Sequence, residues 1–126
     1  KIDCDVIQAD GGTRTASISG GFVALYQACD LLKKNYNITK PIIKEFLGSV
    51  SVGIINENPN LDLDYEEDFN AQVDANFVIC ESGKISEIQT TGEEYFFSRD
   101  QFNLLFDLAN KGIKEIILKQ KKCLSL

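Results

Sequence analysis

Four short runs rich in valine, isoleucine and phenylalanine lie between two longer segments with helical spacing of apolar residues, and this order restricts the possible folds. The runs are residues 49–56, 61–66, 75–80 and 84–89. Short polar segments separate them, so we expect an antiparallel meander. Strands that are grouped between two helices, rather than alternating with them, are typical of an α+β fold.

The first predicted helix follows a short predicted strand over residues 4–8 and a pair of glycines. Its apolar residues recur at steps of four and three and are Ile18, Phe22, Leu25, Cys29 and Leu32. Such a stripe predicts a helix that packs by one face and ends near residue 35. Residues 41–47 fit a helical turn or irregular chain equally well.

The second predicted helix begins at Ser98. The Ser98 side chain can cap the helix while Gln101, three residues later, reaches back to the cap. Apolar residues at helical spacing continue to about Lys119. Gly112 lies inside this segment and costs roughly 1 kcal/mol relative to alanine, so we expect a bend or an early end there.

Composition limits the chemistry that the chain can perform. Its 126 residues are 44% hydrophobic and 25% charged, as in globular domains, and no apolar run is long enough to span a bilayer. We therefore expect a soluble, cytosolic protein. There is no histidine, so a Ser-His-Asp triad is excluded and carboxylates, lysines, arginines or a bound metal must do any chemistry. The four cysteines are widely spaced and predict free thiols.

The net charge of −6 opposes binding of nucleic acid by the chain as a whole. Any polyanionic partner must be held by local cations, by a metal or by surface from another chain.

A glycine turn with polar neighbours stands where the predicted first strand meets the first helix. Asp10, Gly11 and Gly12 precede Thr13 and Arg14. Free N–H groups at a helix start attract phosphate, glycine permits close approach of the backbone, and arginine adds a charge-assisted contact. The alternative is that a threonine side chain caps the helix and Arg14 is solvated. The residues alone leave both interpretations open.

Acidic residues crowd the segment between the second and third predicted strands. They are Asp62, Asp64, Glu66, Glu67, Asp68 and Asp74. Asp68 and Asp74 could face each other and hold a magnesium ion, because hard divalent cations prefer oxygen ligands. The alternative is a solvated acidic rim that prevents a strand edge from pairing with other chains.

The glycine turn and the acidic segment together resemble the ribonuclease PH family. Residues 3–20, which read DCDVIQADGGTRTASISG, are similar to the phosphate-site motif of that family. Residues 49–54 and 61–68, followed by Asp74, are similar to its later strands and its metal-binding aspartates, in the same order. The resemblance covers essentially the whole chain but only about the second half of the family's usual length.

This resemblance implies a ribonuclease PH-like fold, related to domain 2 of ribosomal protein S5, of which residues 1–126 form the C-terminal part. It implies that Gly12, Thr13 and Arg14 bind inorganic phosphate, while Asp68 and Asp74 bind Mg²⁺ or Mn²⁺. The implied catalytic residues are Asp74, Asp68 and Arg14, and Asp74 could also transfer a proton.

The reaction implied by the resemblance is reversible phosphorolysis of RNA 3′ ends, as in trimming of tRNA precursors, with release of nucleoside 5′-diphosphates. A hexameric ring of dimers is implied as the assembly.

Two rival interpretations remain. The chain could be a non-catalytic assembly subunit or fragment with the same fold, or a domain of the polynucleotide phosphorylase type. The chain lacks methionine and opens on what reads as the middle of a strand, so we expect it to be a fragment. We expect the enzyme to need the N-terminal half of the fold as well. Without that half, we expect no enzymatic activity.

Overall fold

A computed structural model describes residues 1–93 and 95–126 of the chain. The helices are α1 (Thr13–Tyr36), α2 (Tyr65–Phe69) and α3 (Arg99–Cys123), and the strands are β1 (Leu47–Ile55), β2 (Asn58–Leu61), β3 (Val73–Cys80) and β4 (Ile85–Gly92). The predicted α+β class is confirmed.

The four strands form one antiparallel sheet in the order β2-β1-β3-β4. β1 and β3 pair along most of their length, with Val52 opposite Ala75, and β4 pairs with the outer edge of β3. The antiparallel arrangement is as predicted, but the order differs from a simple meander. The chain leaves β2 at one edge, passes through α2 and returns on the far side of β1.

The turn between β1 and β2 consists of two residues, Asn56 and Glu57, with φ angles of 48° and 65°. Two consecutive positive φ values match the twist of the flanking strands and produce a tight hairpin. Pro59 follows in β2, where it is tolerated because β2 is an edge strand. Residues 57–60, which separate the first two predicted strands, therefore supply one turn residue and most of β2.

One face of the sheet forms the main core with α3. Phe77 of β3 lies 5.8 Å from Phe106 and 6.0 Å from Phe102, measured between ring centroids. Val50 and Val52 of β1 share this face by strand alternation and are buried. Aromatic and aliphatic contacts of this kind supply most of the stabilisation of a small domain.

The opposite face of the sheet is more polar and carries the start of α1 and the segment around α2. At the edge of β1 that β2 leaves unpaired, the Ser49 N–H donates to the Ser19 hydroxyl of α1 at 3.0 Å, and the same hydroxyl donates to the Ser49 carbonyl at 3.1 Å. The Ser51 hydroxyl accepts a hydrogen bond from the N–H of Leu63, at 3.1 Å. These contacts fix the glycine turn and the acidic segment over the same part of the sheet.

Three predicted details are wrong. Residues 4–8 form no strand, and they have no neighbouring strand in the described sheet from which to gain ladder hydrogen bonds. The predicted strand over 61–66 ends at Leu61, because Asp62 adopts a left-handed conformation and Asp64 and Glu67 form a capping box that starts α2.

The expected early end of the helix at Gly112 is the third error. α3 continues past Gly112 to Cys123. A Cβ atom on Gly112 would lie 2.8 Å from Cδ1 of Leu61 in β2. The glycine therefore permits close approach of β2 to α3 and does not end the helix.

The predictions for the two long helices are confirmed. α1 covers the predicted range, with Phe22 and Cys29 buried, and α3 begins with the predicted Ser98–Gln101 capping box. All four cysteines are free. No helix in the described part of the chain has the length and apolarity that crossing a membrane requires.

Candidate phosphate and metal site

The two segments singled out in the sequence meet at one cavity. This cavity has a volume of about 230 Å³. Its lining residues come from the glycine turn, the first turn of α1, β1, α2 and β3: Asp10, Gly12, Thr13, Arg14, Ser51, Asp68, Asp74 and Asn76. All the residues predicted for phosphate and metal binding line it.

The start of α1 has no side-chain cap. Gly12 occupies the cap position with φ 66° and ψ 19°. The Thr13 hydroxyl donates to the carbonyl of Asp10 at 2.7 Å, and the Thr15 hydroxyl donates to the carbonyl of Gly12 at 2.8 Å. The alternative in which a threonine caps the helix is therefore wrong. The first N–H groups of α1 keep their hydrogen-bonding capacity, at the positive end of the helix dipole.

The two glycines of the turn have different structural roles. A Cβ atom on Gly11 would lie 2.1 Å from the carbonyl oxygen of Leu63, so only glycine lets the turn lie against the chain that leads into α2. Gly12 needs glycine for its positive φ angle. The sequence therefore places the turn tightly on the segment that carries Asp68.

Asp10 joins the glycine turn to α2. Its Oδ1 atom accepts hydrogen bonds from the N–H groups of Gly11 and Tyr65, each at 2.8 Å. Tyr65 is the first residue of α2, and Asp68 lies three residues later. One carboxylate oxygen thus couples the turn to the short helix that presents Asp68.

The surroundings of Asp74 raise the pKa of its carboxyl group. Burial raises its pKa above the ordinary value of 3.8, and the nearby charges of Asp68 and Glu93 raise the pKa further. Its Oδ1 atom is buried and has no hydrogen-bond partner among the described residues. A buried carboxylate oxygen without a donor has free coordination capacity for a cation.

The donor set fits a hard divalent ion. Asp68 and Asp74 supply carboxylate oxygens, and a magnesium ion commonly takes one or two carboxylates and completes its shell with waters and substrate phosphate. Within the described residues there is no group of three or more acidic, cysteine or histidine side chains arranged to hold a metal. A two-carboxylate site that relies on substrate oxygens is consistent with both observations.

Asp68 and Asp74 also line a second cavity of about 480 Å³. Phe69 and Tyr95 contribute to its wall, with Glu93. Asp68 and Asp74 therefore lie between this wider opening and the smaller cavity at the start of α1.

Arg14 reaches across the sheet from α1. Its Nη2 atom lies 2.6 Å from Oε1 of Glu87 in β4, and both side chains are about half exposed. The guanidinium is the positive group at the cavity wall, where its donors can meet an anion.

Four site residues were not assigned a role in the sequence analysis: Asp10, Ser51, Asn76 and Glu87. A signal existed for Asn76, because it lies two residues after Asp74 in a strand and must share its face. Ser51, on the neighbouring strand, is directly opposite Asn76. No local pattern could identify Glu87, since its contact with Arg14 joins residues 73 positions apart.

A family model and curated relatives of the chain point to one protein family. The model of the 3′ exoribonuclease family, domain 2, matches residues 45–112. Ribonuclease PH of Bacillus pumilus (strain SAFR-032) is 54% identical over 121 residues, which are 95% of this chain and 50% of that protein. Ribonuclease PH of Bacillus subtilis (strain 168) is 54% identical over 124 residues, 98% of this chain and 51% of that protein. The chain spans about half the length of these curated relatives.

Two solved structures share the fold. An archaeal exosome core matches with a TM-score of 0.68 and 16% identity, over 91% of this chain and 47% of that chain. An Archaeoglobus fulgidus exosome with RNA bound to the active site matches with a TM-score of 0.66 and 15% identity, over 90% of this chain and 45% of that chain. At such low identity the likeness concerns the fold alone.

Proposed function

Because the chain belongs to the 3′ exoribonuclease family, we propose that it is the phosphate- and metal-binding half of a phosphorolytic 3′-to-5′ exoribonuclease. The observation that carries this proposal is the shared cavity, where the uncapped start of α1, Arg14, Asp68 and Asp74 come together. The ribonuclease PH relatives support the same reaction class.

In the proposed reaction an oxygen of inorganic phosphate attacks the terminal phosphorus of the RNA. The bond from that phosphorus to the 3′-oxygen breaks, a nucleoside 5′-diphosphate leaves, and the shortened RNA keeps a 3′-hydroxyl. The N–H groups after Gly12, the Thr13 side of the turn and the Arg14 guanidinium hold and orient the attacking phosphate. Because one phosphoanhydride replaces one phosphodiester, the reaction also runs in reverse.

Asp68 and Asp74 are the proposed ligands of Mg²⁺ or Mn²⁺. When bound, such a cation neutralises charge on the transferring phosphoryl group and supports the leaving 3′-oxygen. The unpartnered Oδ1 of Asp74 supports this assignment. Asp74 is also the proposed candidate for passing a proton to the leaving 3′-oxygen.

The proposed substrate is the 3′ end of RNA, as in tRNA precursors, processed in the cytoplasm. The four free cysteines fit a reducing compartment.

The net charge of −6 implies that cationic surface from the other half of the fold, or from neighbouring subunits, meets the RNA backbone. Large exposed apolar side chains, such as Leu31 and Tyr36 on α1, support assembly into a ring, proposed to be a hexamer.

A product assay tests the proposed reaction. The 126-residue chain, combined with the other half of the fold on one polypeptide or in trans, is incubated with a short 3′-tailed RNA and Mg²⁺, with and without phosphate. We expect nucleoside diphosphates only when phosphate is present. Release of nucleoside monophosphates without phosphate would indicate hydrolysis and contradict the proposal.

A further inference from the structure

The ion pair between Arg14 and Glu87 connects the first turn of α1 to the edge strand β4. Nη2 of Arg14 and Oε1 of Glu87 are 2.6 Å apart, and the two side chains are 48% and 41% exposed. The distance is that of a short charge-assisted hydrogen bond. An ion pair between two such exposed side chains contributes little to folding stability, so its presence at this site invites a functional explanation.

Strand register places Glu87 beside the site but outside its cavity. Glu87 is opposite Val78, and Val78 alternates with Asn76 and Asp74 along one face of β3. Glu87 therefore lies on the same face of the sheet as Asp74. Arg14 lines the cavity, whereas Glu87 is not among the lining residues. The carboxylate contacts the guanidinium from outside the cavity.

This geometry leaves most of the guanidinium available. Arginine carries five N–H donors in a planar fork, and the contact with Glu87 uses the Nη2 end. A free arginine side chain loses rotamer entropy when it is fixed by a ligand, and a side chain that is already held loses less. A carboxylate behind the guanidinium can hold it at the cavity wall while its other donors face an anion.

We infer that Glu87 is a positioning residue that holds Arg14 in the orientation required for phosphate. The inference rests on the proposed function, in which Arg14 binds the attacking phosphate. The opposite effect is also physically possible, because the negative charge of Glu87 could compete with phosphate for Arg14 or repel it. Positioning predicts weaker phosphate use when Glu87 is removed, and competition predicts stronger use.

Nuclear magnetic resonance of the 126-residue chain tests the contact directly, because the sequence contains only two arginines, Arg14 and Arg99. Order parameters of the two side-chain Nε–Hε groups are measured in the parent, Glu87→Ala and Glu87→Gln. We expect the Arg14 value to fall in Glu87→Ala and to fall less in Glu87→Gln, which retains an acceptor oxygen, while Arg99 is unchanged. An unchanged Arg14 value in Glu87→Ala overturns the inference.

Phosphate kinetics test the functional consequence, with both halves of the fold present. Glu87→Ala is expected to raise the KM for phosphate roughly two- to fivefold with a smaller change in kcat, and Glu87→Gln to have an intermediate KM. Glu81→Gln is the matched control, because Glu81, which directly follows β3, forms a similar surface pair with Lys121 and does not line the cavity. A KM that falls, or that changes no more than in the control, overturns the inference.

A double-mutant cycle separates this inference from the proposed function. In an Arg14→Ala background, Glu87→Ala should have no further effect on the KM for phosphate, because Glu87 acts through Arg14. An equal effect in both backgrounds overturns the positioning role while leaving the proposed function intact. If Arg14→Ala alone leaves phosphate use unchanged, the assignment of Arg14 in the proposed function fails instead.

Discussion

At the scale of single residues, Arg14 supplies the positive charge at the cavity. Arg14→Ala removes a charge-assisted contact, which should weaken phosphate binding by roughly 1.5 to 3 kcal/mol, about tenfold or more in the KM for phosphate. Arg14→Lys should recover only part of the lost phosphate affinity, because lysine lacks the planar fork of donors. Steady-state kinetics at varied phosphate concentration measure both, with Arg99→Ala as the control. An unchanged KM in Arg14→Ala would remove Arg14 from the phosphate site.

Asp68 and Asp74 are expected to determine the metal dependence. Asp68→Asn or Asp74→Asn should abolish turnover at limiting Mg²⁺, because each removes a carboxylate ligand. Asp62→Asn is the matched control, since Asp62 is exposed, belongs to the same acidic segment and lies outside the cavity. Full activity of both site variants at limiting Mg²⁺ would mean that the two carboxylates are only a solvated rim.

The raised pKa of Asp74 gives a stability prediction of defined sign for the metal-free protein. Because the pKa is higher in the folded state than in the unfolded state, ionised Asp74 opposes folding at neutral pH, and this penalty disappears as the pH falls through the folded-state pKa. Asp74→Asn should therefore raise the melting temperature at pH 7 in EDTA, and the gain should shrink on acidification. Thermal unfolding at several pH values measures this. A gain that grows on acidification would contradict the assigned direction.

At the scale of secondary-structure elements, the position of α2 depends on Asp10. Asp10→Ala removes the acceptor for the Tyr65 N–H, at a cost of about 0.5 to 1.5 kcal/mol in stability, and should let α2 move relative to the glycine turn. We expect faster hydrogen exchange at the Tyr65 amide and a higher Mg²⁺ requirement. Asp10→Asn keeps an acceptor oxygen, so its exchange rate at the Tyr65 amide and its Mg²⁺ requirement should stay close to those of the parent. Unchanged exchange at Tyr65 in Asp10→Ala would show that Asp10 does not anchor α2.

Helix α2 also shows why a strand was predicted where a helix forms. Leu61 and Leu63 alternate with acidic residues as in a strand, and Leu63 is buried. The same segment contains Asp64 and Glu67 at capping-box spacing, and in the structure the cap decides the outcome. Residues 61–67 therefore carry two competing local signals, and the strand prediction follows only one of them, the alternation of leucines.

At the scale of the whole molecule, the chain is expected to be inactive alone. Its net charge is −6, and several large apolar side chains are exposed, among them Ile7 and Phe96. Incubated alone with RNA, phosphate and Mg²⁺, the chain should release no nucleoside diphosphate, and any RNA binding should be weak and strongly salt-sensitive. The other half of the fold should restore turnover. Release by the chain alone at the rate of the two-part mixture would show that the other half is dispensable.

The sequence alone determined the α+β class and the extents of α1 and α3. These features depend on local signals: helical spacing of apolar residues and the Ser98–Gln101 cap. Their information lies within a few residues of each position, so it can be read without the fold. The roles of Gly12, Thr13, Arg14, Asp68 and Asp74 come from the resemblance to the ribonuclease PH family and stay a prediction.

Only the tertiary structure decided the strand order, the role of Gly112 and the meeting of the two predicted segments at one cavity. The contacts of Asp10 with Tyr65 and of Arg14 with Glu87 join residues 55 and 73 positions apart. Such contacts depend on how the sheet pairs and on where α1 and α2 pack against it. Local sequence patterns carry no record of that packing, because each segment's propensities are the same whichever strand or helix it meets.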